Sequence, residues 1–91
     1  MQQMQINKNV IHRDIAGEHI LIPVGETALH RNGVFAITEV GAKIWEMLCA
    51  GKDIPQISVT LLDMYEVEPD VLAKDLDDFL EMLRNNGLIS D

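Results

Sequence analysis

An α+β fold, with an N-terminal two- to three-stranded antiparallel sheet followed by a three-helix bundle, follows from three observations. Apolar and polar residues alternate in the strand manner up to about Thr38 and then recur at helical spacing. Asn32-Gly33 lies between two apolar segments of the first half, and Asn-Gly suits a tight hairpin because both residues accept positive φ. In the second half, Thr38, Asp53 and Pro69 each stand where a new apolar stripe begins, as helix-initiating residues do.

In the strand-like half, Val10, His12 and Asp14 alternate with Ile11, Arg13 and Ile15, which suits a half-buried strand. Gly17 allows a tight turn, and His19-Ile20-Leu21-Ile22 reads as the returning strand. Pro23 lacks an amide hydrogen and belongs at that strand's end or on an edge. Ala28-Leu29-His30 and Val34-Phe35-Ala36-Ile37 flank the Asn-Gly turn. Met1 to Gln5 reads as a frayed end, and we place the division between a flexible segment, 1–9, and one domain, 10–91.

The helices follow in order. Thr38 caps the first, with Glu39 placed where the helix dipole favours an acid; Val40, Ile44, Met47 and Leu48 form its apolar face, Trp45 lies on the margin, and Gly51 stops it. Asp53 with Gln56 makes a capping box for the second, where Pro55 is tolerated in the first turn. Ile54, Leu61 and Tyr65 share an arc there, flanked by Ile57 and Leu62. The third begins near Pro69, carries a core stripe of Leu72, Leu76, Phe79 and Leu83, and closes at Asn86-Gly87 with Leu88 over the last turn. The order is that of a winged helix with its wing placed first.

Composition narrows the function. A 91-residue chain with 47% hydrophobic residues supports one modest core. Phe35, Trp45, Tyr65 and Phe79 are its aromatics, so aliphatic side chains and Met must fill most of the interior. The net charge is −8 and the isoelectric point about 4.6. No basic run offsets the acids, which argues against nucleic acid and anionic membrane partners, both of which select for Lys and Arg. Positively charged partners or uncharged extended peptides fit better. The single Cys49 forbids an internal disulfide framework and points to a reducing cytoplasm. No leader-like opening and no apolar run of about 18 residues is present, so a cytoplasmic, soluble domain is expected.

Three segments carry a resemblance. Phe35-Ala36-Ile37-Thr38-Glu39-Val40-Gly41-Ala42-Lys43-Ile44-Trp45-Glu46-Met47-Leu48 resembles the strand-to-helix junction Leu-Asn-x-Thr-Gly-Ala-x-Ile-Trp-x-Leu-Leu of the PqqD-like family, the recognition elements of ribosomally made, post-translationally modified peptides. Gly51 precedes the second helix as that family's Asp-Gly or Glu-Gly does. Asp75-Leu76-Asp77-Asp78-Phe79-Leu80-Glu81-Met82-Leu83, followed by Gly87-Leu88-Ile89, is similar to its Asp-Val-x-x-Phe-Leu-x-x-Leu and terminal Gly-Leu-Ile. The likeness runs from about Val10 to Ile89. Ile37-Thr38 replaces the preferred Leu-Asn, although Thr still serves as a cap, and the connector from Pro23 to Asn32 is longer than usual.

The resemblance implies a non-catalytic adaptor. Such proteins bind the leader part of a precursor peptide as an added strand, with the third helix as the groove's other wall. A modifying enzyme, such as a radical S-adenosylmethionine protein or a protease–cyclase pair, then acts on the tethered peptide. Here the accepting strand is Val34, Phe35, Ala36 and Ile37. On its own residues this segment reads more readily as a short edge strand protected by brevity. The groove wall is Val71, Asp75, Asp78 and Met82, which share a stripe beside the core face, while Lys74, Asp77, Glu81 and Arg84 face away. Without the family that stripe is a boundary between core and solvent; with it, Asp75 becomes a handle for a basic or hydrogen-bonding peptide.

Catalysis and cofactors find no support. His12, His19, His30 and Cys49 share no ligand-like spacing, and no metal or other cofactor is expected. His12 and His19 can meet across a hairpin, yet polar strand residues explain them as well. Cys49 has no accompanying base and reads as a small buried hydrophobe. Gly25 and Gly33 are isolated turn residues, not a phosphate loop. The competing class is a winged-helix-like regulatory or protein-interaction domain that binds no leader. Its DNA-binding form is opposed by the acids of the second and third helices. Exposed strand edges also leave a homodimer open.

Overall fold

The computed structural model describes residues 5–25 and 34–90. The fold is α+β, with strands β1 (Gln5–Ile6), β2 (Val10–Ile15), β3 (Glu18–Pro23) and β4 (Phe35–Ile37) preceding helices α1 (Glu39–Cys49), α2 (Ile54–Met64) and α3 (Pro69–Asn85), and β5 (Ile89–Ser90) at the end.

β2, β3 and β4 form an antiparallel sheet in that order. Ile15 pairs with Glu18, so Ala16-Gly17 is a two-residue hairpin loop. Both loop residues have positive φ (54° and 84°), the mirror-image turn geometry that matches the twist of the strands. Register assigns the faces. Val10, His12 and Asp14 share the inner face with Pro23, Leu21 and His19, and β4 adds Phe35 opposite Leu21 and Ile37 opposite His19. Leu21 is fully buried there. Ile11 and Ile15 point outward and are exposed. The Asn32-Gly33 turn and Ala28–His30 lie outside the described residues.

The helix ends are where local chemistry places them. Thr38 Oγ1 accepts the Gly41 amide at 3.0 Å, and Asp53 and Gln56 exchange both capping-box hydrogen bonds at 2.9 Å. α3 closes on Gly87 at φ 73°, where a side chain would be strained. The Leu88 amide donates to the Leu83 carbonyl at 2.9 Å and the Gly87 amide to Arg84 at 3.1 Å, a Schellman ending.

The core joins Leu21 of the sheet, Ile44, Trp45 and Leu48 of α1, Ile57 and Leu61 of α2, Leu72, Leu76, Leu80 and Leu83 of α3, and the final Leu88 and Ile89. Two sequence expectations are corrected. The fourth core position of α3 belongs to Leu80, while Phe79 is half-buried and turned toward α1. In α2, Ile57 rather than Ile54 or Tyr65 joins Leu61 in full burial, because α2 stops at Met64 and Tyr65 lies in extended chain beyond it.

β1 pairs with β5, Gln5 opposite Ser90 and Ile6 opposite Ile89. Asn7 reinforces the junction: its amide donates to the Leu88 carbonyl at 2.9 Å and its side-chain amide to the Gly87 carbonyl at 3.1 Å. Among the described residues, strand pairing thus includes Gln5 and Ile6.

Candidate functional site

β4 ends the three-stranded sheet and, within the described residues, pairs only with β3. Its backbone then passes through Thr38 into α1, so strand and helix meet at one corner. Beside that corner lies an apolar trough of ≈ 500 Å³. α1 supplies Val40, Gly41 and Ile44, the chain leaving α2 supplies Tyr65 and Val67, and α3 supplies Leu72, Leu76 and Phe79. Thr38, Asp75 and Asp78 complete the lining. The two carboxylates are exposed and stand at the mouth, against a floor that is almost entirely hydrocarbon and aromatic.

Close packing at Gly41 shapes one wall. A Cβ placed there would meet Phe79 Cε1 at 3.0 Å and Cζ at 3.3 Å, and the Ile37 Cβ at 3.4 Å. The absent side chain lets the Phe79 ring and Ile37 both close on α1. The ring forms a wall of the trough instead of falling into it.

The two acids differ in their attachments. Lys74 Nζ donates to Asp78 Oδ2 at 3.0 Å, one helical turn apart. That hydrogen bond and the Asp78 charge hold the Lys74 ammonium above its ordinary pKa, with Asp75 adding to the pull. The pair is solvent-exposed and adds little stability. Asp75 has no side-chain hydrogen bond or ion pair among the described residues.

The expected site residues separate into three sets. Asp75 and Asp78 line the trough. Phe35 and Ile37 are half-buried on the inner face of β4, leaving Val34 and Ala36 exposed. Val71 is half-exposed, Met82 packs against the core, and neither lines the trough. Sequence reasoning missed Val40, Ile44, Tyr65, Val67 and Phe79 as lining. Val40, Ile44, Tyr65 and Phe79 read as apolar helix stripes and Val67 carried no reading, and only the packing of the elements leaves all five bordering open space.

Two comparisons bear on this arrangement. The profile of coenzyme PQQ synthesis protein D (PqqD) matches residues 18–89. The chain belongs to the PqqD family. As a PqqD-family fold it also resembles the solved structure of TbiB1 in complex with the TbiA(beta) leader peptide, with a TM-score of 0.78 and 29% identity over 94% of each chain. No curated protein matches the sequence.

Outside the trough, this PqqD-family chain departs from one sequence reading. Cys49 is exposed at the end of α1 instead of buried. Partial desolvation, and then the Glu46 carboxylate, push its thiol up from the ordinary value, away from nucleophile behaviour. His12 and His19 meet across the hairpin, Nε2 to Nδ1 at 3.1 Å. Among the described residues, no group of three or more His, Cys, Asp or Glu is placed to hold a metal ion, and no helix is long and apolar enough to cross a membrane.

Proposed function

We propose that this protein is a non-catalytic adaptor that binds the leader region of a ribosomally made precursor peptide and presents it to a peptide-modifying enzyme, such as a radical S-adenosylmethionine protein or a protease–cyclase pair. The observation that carries the reading is the acid-mouthed apolar trough beside the terminal strand β4, in a chain whose fold matches a leader-peptide complex. A leader segment adds to Val34–Ile37 as a strand, its main-chain groups pairing with those of β4. Every second side chain then points toward the helices. An apolar anchor fills the trough, and Asp75 takes a basic or hydrogen-bonding neighbour. Val71, Asp78 and Met82 extend the α3 wall on either side.

The charge of −8 suits this division, because a leader with Lys or Arg beside its anchor is drawn to the acidic surface. The test is calorimetric titration of the folded chain with the leader segment of a precursor encoded nearby, its core segment serving as control. Micromolar or tighter binding of the leader alone, about −8 kcal/mol, is the expected result. Asp75→Asn should weaken it about tenfold with an unchanged circular dichroism spectrum, which corresponds to about 1.4 kcal/mol. A folded protein that binds no neighbouring leader defeats the adaptor reading and leaves a protein-interaction domain of PqqD-family fold.

A further inference from the structure

We propose that His12 and His19 form a two-nitrogen site for a divalent first-row transition ion of the Zn²⁺, Ni²⁺ or Cu²⁺ type. Both side chains lie on the inner face of the β2–β3 hairpin, diagonal to one another: His12 is registered opposite Leu21 and His19 opposite Asp14. Their nearest nitrogens, His12 Nε2 and His19 Nδ1, are 3.1 Å apart, with ring centroids 5.3 Å apart and the rings tilted by 32°. With metal–nitrogen bonds of about 2.05 Å, nitrogens at that separation subtend about 98° at a shared ion. That angle falls between the octahedral and tetrahedral values; the rings now face each other nearly head-on, so both must turn toward the ion to share it.

The remaining nitrogens fit the same role. His12 Nδ1 lies 4.0 Å from Glu46 Oε1 on α1, and the His12 side chain is only 17% exposed. At that distance the carboxylate makes no hydrogen bond to the ring; its charge acts through space and attracts a cation held by His12. Without the ion, one of the two nitrogens donates to the other across the gap. On binding, the proton held between the rings moves to the outer nitrogen of the ring that carried it.

Two protein ligands leave the other positions to water. Asp14 does not join them, since its Oδ1 accepts the Gly17 amide at 3.0 Å and is engaged in the turn. The site is therefore open and exchangeable, unlike a closed four-ligand structural zinc centre. It also braces β3 at His19, the residue registered opposite Ile37 of β4.

The test is calorimetric titration of the untagged full chain with NiCl₂ and ZnCl₂, together with the imidazole NMR resonances under substoichiometric CuCl₂. One ion per chain is expected. His12→Gln and His19→Gln should each weaken uptake at least tenfold, Glu46→Gln several-fold, and His30→Gln not at all. In the unmutated chain, paramagnetic broadening should strike the His12 and His19 rings first, a readout independent of whether the variants fold. Absence of uptake at millimolar metal, broadening centred on His30, or loss of binding in His30→Gln would overturn the proposal.

Discussion

Gly41→Ala isolates the packing that keeps the trough open. Gly41 sits in the first turn of α1 with its amide held by Thr38 Oγ1, so the backbone there has little freedom to yield. Helix propensity alone favours the substitution by about 1 kcal/mol. Against this, the new methyl would stand 3.0 Å from Phe79 Cε1 and 3.4 Å from the Ile37 Cβ. Carbon pairs rest at about 3.5–4.0 Å, so the ring must withdraw by about 0.5–1 Å. Overpacking of this kind costs about 1–3 kcal/mol. Ile37 is tied to β3 through its pairing with His19, whereas Phe79 borders open space. The ring is therefore the part that moves, and it moves into the trough. Stability should fall by about 0–2 kcal/mol in urea titration, the difference of those two effects. Leader affinity should fall about tenfold or more by calorimetry, because the anchor's space is now occupied. A Gly41→Ala protein that is more stable than the parent and binds leader equally well would refute this account of Gly41 and Phe79.

Phe79→Ala should destabilise less than a core truncation, because the ring is only half-buried, and should leave a wider trough that accepts a bulkier anchor; a paired urea and peptide titration reads both. Leu83→Ala, at a fully buried position, should cost about 2–5 kcal/mol, visible as a lower urea midpoint with an unchanged slope. Asn7→Ala removes the side-chain donor to the Gly87 carbonyl and the Asn7 Oδ1 that accepts the Asn9 amide, and should cost about 1 kcal/mol with faster hydrogen exchange at Ile6 and Ile89. The raised thiol pKa of Cys49 keeps its thiolate scarce at neutral pH, so alkylation by iodoacetamide should be slower than for a free cysteine and should accelerate above the ordinary thiol range. Glu46→Gln removes one of the two causes and should shift that profile toward lower pH; an unchanged profile would assign the whole effect to burial.

Helix ends were legible in the sequence because their chemistry is local. Thr38 reaches three residues ahead, Asp53 and Gln56 reach one another, and the Gly87-Leu88 ending folds back onto Leu83 and Arg84. The β2–β3 hairpin was legible for the same reason, since alternation fixes which residues share a face and Gly17 marks the turn. Helical spacing put Asp75 and Asp78 on one stripe of α3, and both line the trough.

What tertiary structure alone decided depends on the rotation and crossing of whole elements. Helical periodicity admits either Phe79 or Leu80 into the core, and the close approach of α3 to Gly41 selects Leu80. The trough is lined jointly by α1, the chain leaving α2 and α3, a combination no single segment encodes. The β1–β5 pair joins residues some eighty positions apart, and a two-residue strand carries too little pattern to announce so distant a partner. His12 and His19 could be placed on one hairpin from the sequence, but bringing their nitrogens to 3.1 Å required the strand register, and setting Glu46 beside His12 required the packing of α1 against the sheet.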